Sequence, residues 1–115
     1  AYTSRGMVVI IEAHDFSGSY YRNISGGRQW KTELLNFWRN CANRYRNNTG
    51  VWFNIMNEPG GGGAAPQEWL DLHRDALNAI RATGNNSIVV ANGVDFGQEG
   101  DQNGSIPVRS ANSAI

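Results

Sequence analysis

The stretch IMNEPGGGG, residues 55–63, decides how this chain reads. An apolar run ends on Asn57 and the carboxylate Glu58. Pro59 and four glycines follow, and a helical pattern starts near Pro66. Such a junction suits two chemistries: a glycine loop that cradles a phosphate, or a strand end that presents a carboxylic acid. Gly60, Gly62 and Ala65 formally match the spacing of a dinucleotide-binding turn. That turn needs its first glycine hard against the strand end. Here Asn57, Glu58 and Pro59 fill the place, and a carboxylate there repels a pyrophosphate. No Gly-Lys-Ser/Thr follows, so a P-loop is excluded too. The carboxylate reading stands. Proline biases the preceding residue to extended geometry, so Glu58 is expected as the last strand-like residue. Partial burial raises a carboxyl pKa toward the range of a general acid. Asn57 beside it offers amide donors, and the glycines make a low rim over which a long ligand can pass.

Working outward, residues 51–56 (VWFNIM) are one of three short, nearly continuous apolar runs, with residues 7–11 (MVVII) and 87–91 (SIVVA). Runs of this kind read as strands buried on both faces, as in a parallel sheet. Between them lie two helical stripes. Trp30, Leu34, Trp38, Cys41 and Tyr45 recur at helical spacing, and so do Trp69, His73, Ala76, Leu77 and Ile80. Pro66 suits the first turn of the second helix and Gly84 its C-terminal cap. The order strand, helix, strand, helix, strand makes two consecutive βαβ units. Three parallel strands cannot close a barrel, and alone they expose sheet edges and an apolar inner face. The expected fold class is therefore α/β, either a very small open domain or, the reading favoured here, a fragment of a (β/α)8 TIM barrel, with residues 1–115 forming one incomplete domain. Residues 93–115 read as a polar, glycine-rich loop leading toward a further helix near Ser110.

The first strand gives an independent signal, because it ends in Glu12-Ala13-His14-Asp15. Period-two geometry puts Glu12 and His14 on one face. Facing inward, they would lie on the strand beside Glu58. His14 would there bond a ligand or a second carboxylate, or be a packed and satisfied histidine. Glu12 is expected as a polar link in the inner layer, and His73 as helix core. No His-x-x-x-His or His-Glu-x-x-His spacing occurs, so no catalytic metal and no cofactor are expected. The formal net charge of zero argues against nucleic acid or an anionic membrane as the main partner. The single cysteine, Cys41, excludes a disulfide framework and reads as a buried, inert thiol. No signal peptide or membrane span is visible. Sequons at Asn23, Asn47, Asn85 and Asn103 carry little weight in so asparagine-rich a chain.

With Asn57-Glu58-Pro59 at one strand end and His14 at the preceding one, the chain resembles glycoside hydrolase family 5, the cellulase family. Residues 8–15 look like the family's third barrel strand, residues 51–59 like its fourth and residues 87–93 like its fifth. The resemblance implies a retaining, endo-acting hydrolase of β-linked glucan, most often cellulose. Glu58 would be the proton donor and later the base. His14, Asn57, Asn92 and Phe96 would contact substrate, Phe96 standing where related enzymes often carry a stacking tryptophan. The second carboxylate, the nucleophile, would come from the seventh strand, beyond Ile115, so this segment alone would be inactive. The implied partner is a polysaccharide, and the full-length enzyme would be a secreted monomer. Mannan or another β-glycan is an alternative substrate. A non-catalytic glycan-binding module is an alternative function, but such a module has no need of a carboxyl poised at a strand end.

Overall fold

The computed structural model describes residues 2–14, 28–57 and 66–92, except the side chains of residues 28–30 and 66–69. The elements are β1 (Val9–His14), α1 (Arg28–Arg44), β2 (Val51–Asn57), α2 (Pro66–Arg81) and β3 (Val89–Val90). The strands form one parallel sheet in the order β1-β2-β3, as the alternation of strand and helix predicts. The expected loop and helix of residues 93–115 lie outside the described residues.

Alternation along the strands sorts the sheet into two faces. Val51, Phe53, Ile55 and Val89 point one way and form the core with Trp38, Ala42, Ala76 and Ile80 of the helices; Ile11 and Ala13 pack against it. The opposite face carries Val8, Ile10, Glu12 and His14 on and beside β1. There Val8 and Ile10 are 50% and 52% exposed. The continuous apolar run of β1 thus meets helices on one side and an open inner face on the other, the geometry expected of a barrel sector.

Element ends move for local reasons. The sequence places β1 at residues 7–11. However, a 3-10 turn at Thr3–Arg5 precedes it, and the Met7 N–H donates to the Tyr2 carbonyl instead of the sheet. Pairing begins where the Val9 N–H meets the Gly50 carbonyl at 2.8 Å. Gly50 is a tight point, because a Cβ there would lie 3.0 Å from the Thr3 methyl, which would have to give by a few tenths of an ångström. Pro66 opens α2, as predicted. Gly84, at φ +81°, closes the turn after Arg81 with its N–H on the Arg81 carbonyl. Only a residue free of Cβ strain adopts that φ readily.

β3 is shorter than its apolar run, since Ser87 belongs to this turn. Its N–H donates to Asn85 Oδ1 and its carbonyl accepts from Arg81. Asn85 is fully buried and donates from Nδ2 to the Ala42 carbonyl, tying the end of α1 to the approach to β3. A glycan cannot be attached to an amide so enclosed, so the sequon at Asn85 is not used in this fold. Asn85→Ala should destabilise by about 2–3 kcal/mol, because it strands the Ser87 N–H and the Ala42 carbonyl without partners. Urea denaturation checks this, and a loss below about 0.5 kcal/mol would remove the turn from the fold's supports.

The two helices are joined on their outer side by Lys31, whose Nζ donates to Asp75 Oδ2 at 2.7 Å. That hydrogen bond holds the Asp75 carboxyl below its ordinary range, outweighing its slight desolvation. Cys41 is half-buried, and burial raises its thiol pKa despite Arg44 nearby, which agrees with an inert thiol. His73 is buried on the inner side of α2, as its place in the apolar stripe predicts.

Candidate active site

The site forms where the three strands end. Glu12 pairs with Asn54 across β1 and β2, yet the next pair is His14 with Asn57. Two steps on β1 therefore answer three on β2. This irregularity changes which side chains meet. In a regular strand, positions 54 and 57 differ by an odd number and face opposite sides of the sheet. The extra residue returns Asn57 to the face of Asn54. Their amides then touch, with Asn54 Nδ2 donating to Asn57 Oδ1 at 3.1 Å.

Around that contact a polar row crosses the sheet. His14 Nδ1 lies 3.1 Å from Glu12 Oε1 and 3.3 Å from Asn57 Nδ2. Asn92, just beyond β3, donates from Nδ2 to Asn57 Oδ1 at 3.0 Å and to the Met56 carbonyl at 3.3 Å, with Asn54 Oδ1 at 3.4 Å. Three residues singled out from the sequence, His14, Asn57 and Asn92, are thus brought together from the ends of β1 and β2 and from just beyond β3. Glu12 shares the His14 face, as period two predicts, but it stands 45% exposed and is no buried inner-layer link. Its carboxylate faces solvent beside the imidazole. Glu58 and Phe96 lie outside the described residues.

The sequence reading missed Asn54. The available signal was a lone asparagine inside an apolar run, three residues before Asn57. The helix side also reaches the irregularity. Trp38 is fully buried, and its indole N–H donates 3.1 Å to the Ile55 carbonyl, inside the stretch where the register slips. Phe53 and Phe37 meet the indole edge-to-face.

A parallel sheet with helices packed on one face and polar side chains gathered at its carboxyl ends is a sector of a (β/α)8 barrel, a class that meets its ligands at that rim. The chain belongs to glycosyl hydrolase family 5, the cellulase family, whose model matches residues 1–115. A mannan endo-1,4-β-mannosidase of Cellvibrio japonicus is 29% identical over 97 residues, which are 84% of this chain and 22% of that protein. A manganese-dependent endoglucanase, Eg5A of Phanerodontia chrysosporium, is 33% identical over 76 residues, 66% of this chain and 19% of that one. Among solved structures, Thermotoga maritima Cel5A with cellobiose superposes with a TM-score of 0.67 at 27% identity, covering 83% of this chain and 30% of that chain. The same enzyme with mannotriose gives 0.67 at 25% identity, over 82% and 29%. This chain therefore spans about a fifth of the curated relatives and under a third of those structures. No group of three or more His, Cys, Asp or Glu side chains able to hold a metal occurs among the described residues.

Proposed function

We propose that this chain carries the acid/base half of the catalytic pair of a retaining endo-β-1,4-glycanase acting on glucan. What carries the reading is the row His14, Asn57 and Asn92 across three strand ends, directly before Glu58-Pro59 in sequence. Membership of a glycosidase family supports the reaction class.

In this mechanism Glu58 protonates the leaving glycosidic oxygen, then takes a proton from the water that releases the sugar. Retention requires a second carboxylate about 5–5.5 Å away as nucleophile, contributed by a part of the barrel outside residues 1–115. Asn57 donates to a substrate oxygen. His14 binds a hydroxyl while Glu12 fixes its ring. Asn92 braces Asn57, and Phe96 stacks against a pyranose ring. The substrate is an insoluble or very large polymer, so the enzyme works outside the cell, as a monomer.

A second reading, β-1,4-mannan as substrate, is favoured by the Cellvibrio mannosidase and by the mannotriose complex of Cel5A. Incubating the full-barrel enzyme with soluble glucan and with mannan, and following the first product by proton NMR, tests both. The expected first product is the β-anomer of shortened glucan chains. A first product of α configuration would contradict retention, cleavage of mannan alone would select the second reading, and cleavage of neither would end both.

A further inference from the structure

We infer that Asn54 is a positioning residue, whose buried amide fixes the sense of the Asn57 side chain so that its nitrogen faces His14 and the open side of the sheet. Asn54 is 6% exposed in mid-strand, where a β-branched residue is the ordinary choice. Burying an amide is costly unless it is hydrogen-bonded. The side-chain partners of Asn54 are the two rim amides, Asn57 and Asn92.

The direction of these bonds does the orienting. Asn57 Oδ1 accepts from Asn54 Nδ2 at 3.1 Å and from Asn92 Nδ2 at 3.0 Å. Two donors fill both lone pairs of that oxygen. Turned over, the Asn57 amide would set its nitrogen against two other nitrogens, three donors with no acceptor among them. The pair Asn54 and Asn92 therefore leaves Asn57 Nδ2 on the side of His14, 3.3 Å from its Nδ1. A ligand at the rim meets an N–H there and not a carbonyl. An N–H suits an oxygen that gains electron density during reaction. The arrangement exists only because the slipped register brings positions 54 and 57 to one face. Asn92 reinforces it, with one hydrogen of its amide nitrogen for Asn57 Oδ1 and the other for the Met56 carbonyl.

The kinetic part of this inference rests on the glycosidase reading, while its structural part does not. The probe is Asn54→Asp in the full-barrel enzyme, which keeps size and shape but replaces the donor with an acceptor. At atomic resolution the Asn57 amide should be reversed in this variant, donating to the new carboxylate; an unchanged amide overturns the inference. On soluble glucan the variant should lose about 10- to 100-fold in kcat, with KM little changed, as for removal of a positioned donor. In an Asn57→Ala background the same substitution should change kcat by no more than about twofold, since it acts through the missing side chain. Losses that multiply instead would assign Asn54 a purely structural role. Asn54→Ser, which keeps a smaller hydroxyl, serves the same cycle should the carboxylate prevent folding. Should the enzyme cleave neither glucan nor mannan, the glycosidase reading falls, and the amide's orientation in the variant still decides the inference.

Discussion

Glu58→Gln should lower turnover of unactivated glucan by about 10²- to 10⁴-fold, the usual contribution of a positioned general acid–base group. The substitution keeps shape and removes the transferable proton, so folding should be unchanged. The signature lies in the contrast between substrates. An aryl glycoside with a strongly acidic phenol leaves without protonation, so its first step should be nearly intact. The second step still lacks a base, and the glycosyl-enzyme should accumulate. Azide attacks that intermediate without base assistance. It should restore turnover and yield a glycosyl azide of the substrate's own configuration, with the nucleophilic carboxylate released. Unchanged turnover of unactivated glucan would remove Glu58 from the mechanism. Loss on both substrates without azide rescue would give it a different role.

Trp38→Ala should cost about 3–5 kcal/mol of stability, the range for emptying a buried aromatic site. Two terms add. The cavity opens beside Phe53, whose ring lies 5.9 Å from the indole. The Ile55 carbonyl also loses the indole N–H that reaches it at 3.1 Å. Trp38→Phe separates them, since it retains much of the volume and loses the donor, and should cost about 1–2 kcal/mol. Denaturant titration of both variants reads the difference. An alanine variant within about 1 kcal/mol of the parent would mean that the helix layer does not hold the sheet as described. Because Ile55 lies inside the slipped stretch, the phenylalanine variant should also reduce activity, although Trp38 belongs to the helix layer.

Much of the fold was legible because its signals are local and repeated. The apolar runs marked all three strands, the helical stripes marked both helices, Pro66 marked the start of α2, and Gly84 marked the turn that follows it. Strand ends were less legible, because they depend on partners. Met7 is apolar, yet a preceding turn claims its N–H, and Ser87 is claimed by Asn85. The site was half legible. His14, Asn57 and Asn92 stand at strand ends, where sequence punctuation is strong. The register slip was invisible because residues 53–56 are all buried, so no polar alternation reveals which residue is extra. Asn54 was hidden with it, as its partner three positions on would point away in a strand without the slip. The open face beside Val8 and Ile10 follows from counting strands, which the sequence permits.

The additional residue in β2 also sets a limit on redesign. Straightening the strand by giving every residue from Asn54 to Asn57 regular pairing, with none deleted, would satisfy every rule of ideal sheet geometry and tighten the ladder. It would also swing the Asn57 side chain, and whatever follows it, through the sheet toward the helices. An idealised barrel built on this template would gain robustness and arrive with its polar edge turned inside out.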